Sequence, residues 1–229
     1  MGFSLQDVVP WGRTLAEYRA MFALTEQELR TRILGCGDGP ASFNAEANQH
    51  EYRVVSSDPI YRYSVRELQS RIAETAETIS TQLKENPHEF VWTHFSSPDA
   101  LIAARMAAME DFLADYPLGL EEERYVEDSL PGLPFTDRCF DLALCSHFLF
   151  LYSEQYDLEF HIESIAELCR VSGEVRVFPL LELGSVPSRH LEAVVSEFSQ
   201  RGHTVEIVRV DYEVQRGGNQ MLRVAPPND

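Results

Sequence analysis

Arg32-Ile33-Leu34-Gly35-Cys36-Gly37-Asp38-Gly39-Pro40 is the stretch from which the fold of this chain is read. It has the form of a short buried strand running into a tight glycine turn that opens a helix. Gly35, Gly37 and Gly39 fall at the spacing G-x-G-x-G. Glycine there removes Cβ, permits positive φ and lets a ligand lie directly on the backbone. The free N–H groups at the start of the next helix then face whatever is bound. A dinucleotide fingerprint requires G-x-G-x-x-G, and Pro40 occupies the sixth position.

Downstream, a short helix over about Ala41 to Ala47 leads to a second strand, Tyr52 to Ser57, which ends in Asp58. An acidic residue about twenty positions beyond a glycine turn, at the carboxyl end of a strand, is placed to accept hydrogen bonds from ribose hydroxyls. The alternative for Asp58 is an N-cap or turn role. Further on, Leu133-Pro134-Phe135-Thr136-Asp137-Arg138-Cys139-Phe140-Asp141 runs into Leu142-Ala143-Leu144-Cys145-Ser146, nearly continuous in apolar residues as a central parallel strand should be. His147 to Tyr152 follow where the chain leaves the sheet. After a helix marked by Leu158, Ile162, Ile165 and Cys169 comes Arg170-Val171-Ser172-Gly173-Glu174-Val175-Arg176-Val177. Leu191, Val194, Val195 and Phe198 mark a last helix. Thr204 to Gln215 and Gln220 to Ala225 read as two strands joined through Arg216-Gly217-Gly218-Asn219, a connection short enough for an antiparallel hairpin.

Taken together these features resemble the class I S-adenosylmethionine-dependent methyltransferases, over about Arg32 to Val224. Ile-Leu-Gly-Cys-Gly-Asp-Gly looks like the first motif of that family, and Phe140 to Tyr152 is similar to its fourth. The L-P-F-x-D-x-x-F-D run is similar to the segment joining its third and fourth strands. The terminal hairpin distinguishes it from a dehydrogenase, which would end in another crossover or a second domain. Two departures stand out. Ile33 lies where the family usually carries an acid, and Ser172-Gly173 stands in for its proline.

The resemblance implies a three-layer, doubly wound α/β fold with a mostly parallel seven-stranded sheet ending in an antiparallel hairpin. It implies S-adenosyl-L-methionine as cofactor. Gly35, Cys36, Gly37, Asp58, Pro59, Ile60, Ser129, Leu130 and Ser146 would hold it, with Ile60 on an adenine face and Ser129 and Leu130 at the adenine edge. Arg13 and Tyr18, ahead of the first strand, are candidates for its amino-acid carboxylate, against a surface arginine and a core tyrosine. Methyl transfer from a sulfonium needs orientation above all, and a base where the acceptor carries a proton. His147 is the candidate base, since imidazole titrates near physiological pH. Its alternative is a histidine that bonds a backbone carbonyl and shapes the pocket. Three functions remain: a small-molecule methyltransferase, which is favoured, a cofactor-binding sensor or partner subunit without turnover, and an NAD-dependent oxidoreductase.

The remaining sequence supplies the frame. Thr14-Leu15-Ala16-Glu17 and Ser64-Val65-Arg66-Glu67 are capping boxes. Leu15, Tyr18 and Phe22 mark one helical face, and Val65, Leu68, Ile72, Ile79 and Leu83 another, which Asn86-Pro87 breaks. Glu89 to Phe95 are aromatic and strand-like. Ser97-Pro98 opens a helix with the face Ile102, Met106, Met109, Leu113 and Tyr116, closed by Pro117. Glu123 to Glu127 form a short third strand. The expected organisation is one domain over residues 1–229, with residues 1–30 as an N-terminal helical cap. An insertion over about residues 86–119, between the second and third strands, would build a substrate pocket or lid.

Composition excludes several classes. The net charge of −18, with Lys84 the only lysine, opposes a nucleic-acid substrate. There is no run of about 18 apolar residues to span a membrane, and Met1 to Pro10 lacks a signal pattern. Cys36, Cys139, Cys145 and Cys169 show no C-x-x-C spacing, which reads as reduced thiols in a cytoplasmic protein. Neither a metal constellation nor a G-x-S-x-G elbow occurs. The acceptor's identity and the oligomeric state are not legible at this level.

Overall fold

A seven-stranded sheet in the order β3-β2-β1-β4-β5-β9-β8 carries the chain. The computed structural model describes residues 9–227. The strands are β1 (Arg32–Cys36), β2 (Arg53–Ser57), β3 (Tyr125–Val126), β4 (Leu142–Ser146), β5 (Val175–Phe178), β8 (Thr204–Arg209) and β9 (Gln220–Ala225). A separate two-stranded ribbon joins β6 (Leu181–Glu182) to β7 (Val186–Pro187). From β3 through β5 all pairings are parallel, and β9 runs antiparallel to both of its neighbours. This is the architecture expected from the sequence.

Alternation along the central strands builds the two cores. Ile33, Leu142 and Leu144 face one apolar cluster with α1 (Leu15–Met21), α3 (Phe43–Gln49), α4 (Val65–Glu85) and α5 (Pro98–Glu121). Leu34, Ala143 and Cys145 face the other, against α6 (Leu158–Val171) and α7 (Leu191–Gln200). Both faces of β1 and β4 are therefore covered, as parallel strands require. Each fully buried side chain such as Ile33 or Leu34 contributes about 1.5–3 kcal/mol. The strand order reverses between β1 and β4, which opens a crevice at their carboxyl ends.

The N-terminal cap is tied down by two capping boxes and one arginine. Thr14 caps α1 through Glu17, and Thr25 caps α2 (Glu26–Leu29) through Glu28. Arg176 of β5 donates to the Phe22 carbonyl at 2.7 Å and to the Glu28 carboxylate, locking the cap onto the sheet. The reading of Met1 to Pro10 falls mostly on residues 1–8, outside the described residues. Among the described residues no helix is long and apolar enough to cross a membrane.

Four local expectations are corrected. Residues 89–95 do not form a strand. Pro87–Glu89 is a 3-10 turn, Trp92 Nε1 donates back to the Pro87 carbonyl at 3.2 Å, and only Phe90 bridges to Gln215. Pro117 does not end α5, which continues to Glu121, because Tyr116 and Gly119 pack the last turn onto Tyr125 of β3. The buried face of α5 is Leu101, Arg105, Ala108, Met109, Phe112 and Tyr116, turned by about one residue from the apolar stripe read in the sequence. Leu101, Ala108 and Phe112 offer an apolar stripe beside the one read in the sequence, and Arg105 joins it by meeting the Glu17 carboxylate. Finally, β8 stops at Arg209, and ten residues (210–219), not four, connect it to β9. Val210, Tyr212 and Val214 alternate like a strand, but they bury themselves in the cluster beside α1.

Candidate functional site

The glycine turn closes around a buried acid. Gly37 and Gly39 take φ of +70° and +57°, values that an L side chain would strain against. Between them the Asp38 carboxylate folds back under β1. It accepts from the Tyr18 hydroxyl at 2.6 Å and from Ser56 Oγ at 2.7 Å. A Cβ on Gly35 would lie 1.8 Å from Asp38 Oδ2, so Gly35 makes room for that carboxylate and not for a ligand. Burial pushes the Asp38 carboxyl up to about 7, against the two hydroxyl donors and with help from the Asp58 charge. Beside Gly39, by contrast, a Cβ would meet nothing within 4 Å.

Asp58 directly follows β2 and caps the 3-10 turn Pro59–Arg62. Its Oδ1 accepts from the Ile60 N–H at 2.9 Å and its Oδ2 from the Gly39 N–H at 2.8 Å. The carboxylate thus joins the glycine turn to the end of β2, and each oxygen keeps a further lone pair. Burial raises its pKa to about 6, opposed by these two N–H donors. Across the crevice, Asp128 Oδ1 accepts from the Ser129 N–H, and Leu130 is buried.

Around these groups lies an outer cavity of about 500 Å³, within the range of small-molecule sites. Of the residues singled out from the sequence, all but Gly35 and Tyr18 line it. Tyr18 is 1% exposed, stacks on Phe43 with ring centroids 4.0 Å apart, and spends its hydroxyl on Asp38. It supports the turn from beneath.

An inner cavity of about 100 Å³ adjoins the outer one, and Val9, Trp11, Arg13 and His147 line both. The N-terminal segment makes the partition. Val9 N–H donates to the Tyr152 hydroxyl at 3.2 Å, and Gly12 runs so close to the turn that a Cβ would lie 2.0 Å from the Pro40 carbonyl oxygen. Arg13 Nη1 donates to the Trp11 carbonyl at 2.9 Å, while its Nε has no partner. Burial and the Arg105 charge lower its pKa to about 10, leaving it a cation at neutral pH.

His147 stands just past the end of β4 with φ of +53°, its N–H donated to the Phe178 carbonyl at 2.6 Å. Its Nδ1 shares a 2.9 Å hydrogen bond with Ser146 Oγ. Burial holds the imidazole well below its ordinary pKa, and the charges of Arg13 and Arg105 push the same way, so it is neutral at physiological pH. Among the described residues no group of three or more histidine, cysteine, aspartate or glutamate side chains could hold a metal ion.

Sequence reasoning missed Gly12, Trp11 and the Arg105–Glu17–Tyr212 cluster. The first two had a signal, a glycine and an aromatic just ahead of a capping box. The cluster had none, because its members lie 88 to 195 positions apart.

No protein-family model matches the chain. Among solved structures, Streptomyces venezuelae DesVI matches with a TM-score of 0.51 at 11% identity, covering 93% of this chain and 91% of that one. The magnesium protoporphyrin IX methyltransferase of Synechocystis PCC 6803, solved with bound SAH, matches at 0.49 and 13% identity, over 93% and 81%. The strand order with one reversed strand is that of the class I S-adenosylmethionine-dependent methyltransferases, and this fold is what the chain has. The uncharacterized protein MJ0045 of Methanocaldococcus jannaschii is 34% identical over 220 residues, 96% of either chain. With likeness of that extent along nearly its whole length, the chain belongs to the family of that archaeal protein.

Proposed function

We propose that the chain binds S-adenosyl-L-methionine in the outer cavity and transfers its methyl group to a small molecule held in the inner one. The observation that carries this reading is the junction of the two cavities at Arg13 and His147, beside the carboxyl ends of β1 and β4. The bound cofactor would supply an electrophilic methyl on a sulfonium, a reaction partner that already contains its leaving group.

The residues fit such a ligand. The glycine turn leaves open backbone at Gly39, Asp58 keeps lone pairs for ribose hydroxyls, and Arg13 brings a cation to the wall of the cavity. Pro59 and Ile60 from one side and Ser129 and Leu130 from the other would hold the adenine, with Cys36, Gly37 and Ser146 along the backbone cradle. Tyr18 would act through Asp38, without touching the ligand. The work of the protein is then orientation and exclusion of water. His147, as a neutral imidazole at the junction, can accept a hydrogen bond or a proton from an acceptor. Helix α4 supplies Ile79 and Leu83, and the helical insertion Leu101 and Arg105, to the inner wall. The charge of −18 supports a small molecule over a nucleic acid.

The test is calorimetric titration with S-adenosylhomocysteine, with NADH in parallel. Micromolar binding of the first alone is expected, and Asp58→Ala should weaken it at least tenfold, about 1.4 kcal/mol. Binding of neither compound, or unchanged affinity in the variant, would overturn the assignment.

A further inference from the structure

The inner cavity is small. A buried apolar cavity of about 150 Å³ takes up one benzene molecule, and this one measures about 100 Å³. In proportion to the ring, it has room for about four non-hydrogen atoms of a ligand. Ile79 and Leu83 of α4, Leu101 of α5 and Val214 after β8 form its apolar side. All four are buried, and they belong to the same apolar cluster as Leu15, Tyr18 and Met21 of α1. Room for a larger group would have to come from these side chains.

The wall is braced against such a retreat. The connection that carries Tyr212 and Val214 is stitched to residues 88–91. The Val91 N–H donates to the Val214 carbonyl at 2.8 Å, and the Arg216 N–H to the Glu89 carbonyl at 2.8 Å. The Arg216 side chain adds two bonds, from Nε to the His88 carbonyl at 2.9 Å and from Nη2 to the Phe90 carbonyl at 3.1 Å. Tyr212 is held by its hydroxyl, which donates to Glu17 at 2.7 Å and accepts from Arg105 at 3.2 Å. A close-packed core resists even one added methylene group, and a ring needs about 50 Å³ more than the cavity offers.

We propose that the inner cavity admits a compact aliphatic group and refuses an aromatic ring, with Leu101 and Val214 setting the limit. Taking that group as the part of the methyl acceptor that reaches the cofactor rests on the function proposed above. The acceptor is then a small aliphatic compound, or one that ends in a short aliphatic group. Phenols and catechols do not fit there.

The experiment is calorimetric titration of the full chain with 2-propanethiol, which has the expected size, and with benzyl mercaptan, which is larger and more hydrophobic. Each is titrated into the parent, Leu101→Ala and Val214→Phe, with and without S-adenosylhomocysteine. Val214→Phe fills the cavity, so binding that it abolishes is binding in the inner cavity; Leu101→Phe serves the same purpose if Val214→Phe does not fold. In the parent the small thiol should bind there at least tenfold more tightly than the aromatic one. Leu101→Ala enlarges the cavity and should raise the affinity of benzyl mercaptan tenfold or more. Leu101 and Val214 do not line the outer cavity, so the affinity for S-adenosylhomocysteine should not change. Three results would overturn the proposal: benzyl mercaptan bound in the parent cavity as tightly as the small thiol, no small-thiol binding that the filled variant removes, or a folded Leu101→Ala that still refuses the ring. Because the thiols are also titrated alone, failure of S-adenosylhomocysteine to bind would count against the methyltransferase reading only.

Discussion

Replacing Gly35 by alanine tests what the first glycine of the turn is for. The three atoms nearest to a Cβ at that position all belong to the Asp38 carboxyl group, the closest at 1.8 Å. The carboxylate must therefore leave the Tyr18 and Ser56 hydroxyls, both of which are buried. Below its folded-state pKa of about 7 the carboxyl is neutral, and each buried hydroxyl left without its partner costs about 1–3 kcal/mol. Losing two, offset by the smaller chain entropy of alanine in the unfolded state, should cost about 3 kcal/mol. Asp38→Ala alone strands the same two hydroxyls and should cost a similar amount. Gly35→Ala added to Asp38→Ala should then cost almost nothing, because the group it collides with has gone. Urea unfolding followed by circular dichroism at pH 5, where the folded-state carboxyl is protonated, measures all four corners of the cycle. A coupling energy of about 3 kcal/mol is expected for groups in such contact. Additive costs, or a Gly35→Ala variant as stable as the parent, would refute the reasoning and return Gly35 to a role against the ligand.

Two further predictions concern charge. The folded-state Asp38 carboxyl titrates at about 7 against an ordinary value of 3.8, so the folded protein holds that proton more tightly than the unfolded chain. Its contribution is fully present below pH ~4 and is lost as pH rises towards about 7, by about 4 kcal/mol at most. The stability difference between the parent and Asp38→Asn should follow that curve in urea titrations from pH 4 to 8, and a flat difference would contradict it. For His147, a buried imidazole that only shapes the pocket predicts that His147→Ala keeps turnover within about tenfold, with no change in pH dependence between 6 and 9. A loss of 10²–10⁴-fold, the usual contribution of a general base, would assign it proton transfer instead.

The sequence by itself determined the parts of this protein whose physics is short in range. Backbone hydrogen bonding and side-chain periodicity act over a few residues, so the strands at Arg32 and Leu142 could be read directly. So could the capping boxes at Thr14 and Ser64 and the closing hairpin. The crevice followed from those elements, because a parallel sheet of this order has one place where its connections part. Asp58, Ile60, Leu130 and His147, singled out before any coordinates, line one cavity there. Only the tertiary structure decided what depends on charge meeting charge across the chain. Arg105 is absent from the apolar stripe read for α5, yet it is buried, its guanidinium meeting Glu17 88 positions away. Tyr212 reads as strand until its hydroxyl finds the same carboxylate. Desolvating an ion is costly unless a partner waits in the right place, and no local pattern records where that partner will be. The inner cavity, with Arg13 and Arg105 in its wall, is the product of that long-range arrangement.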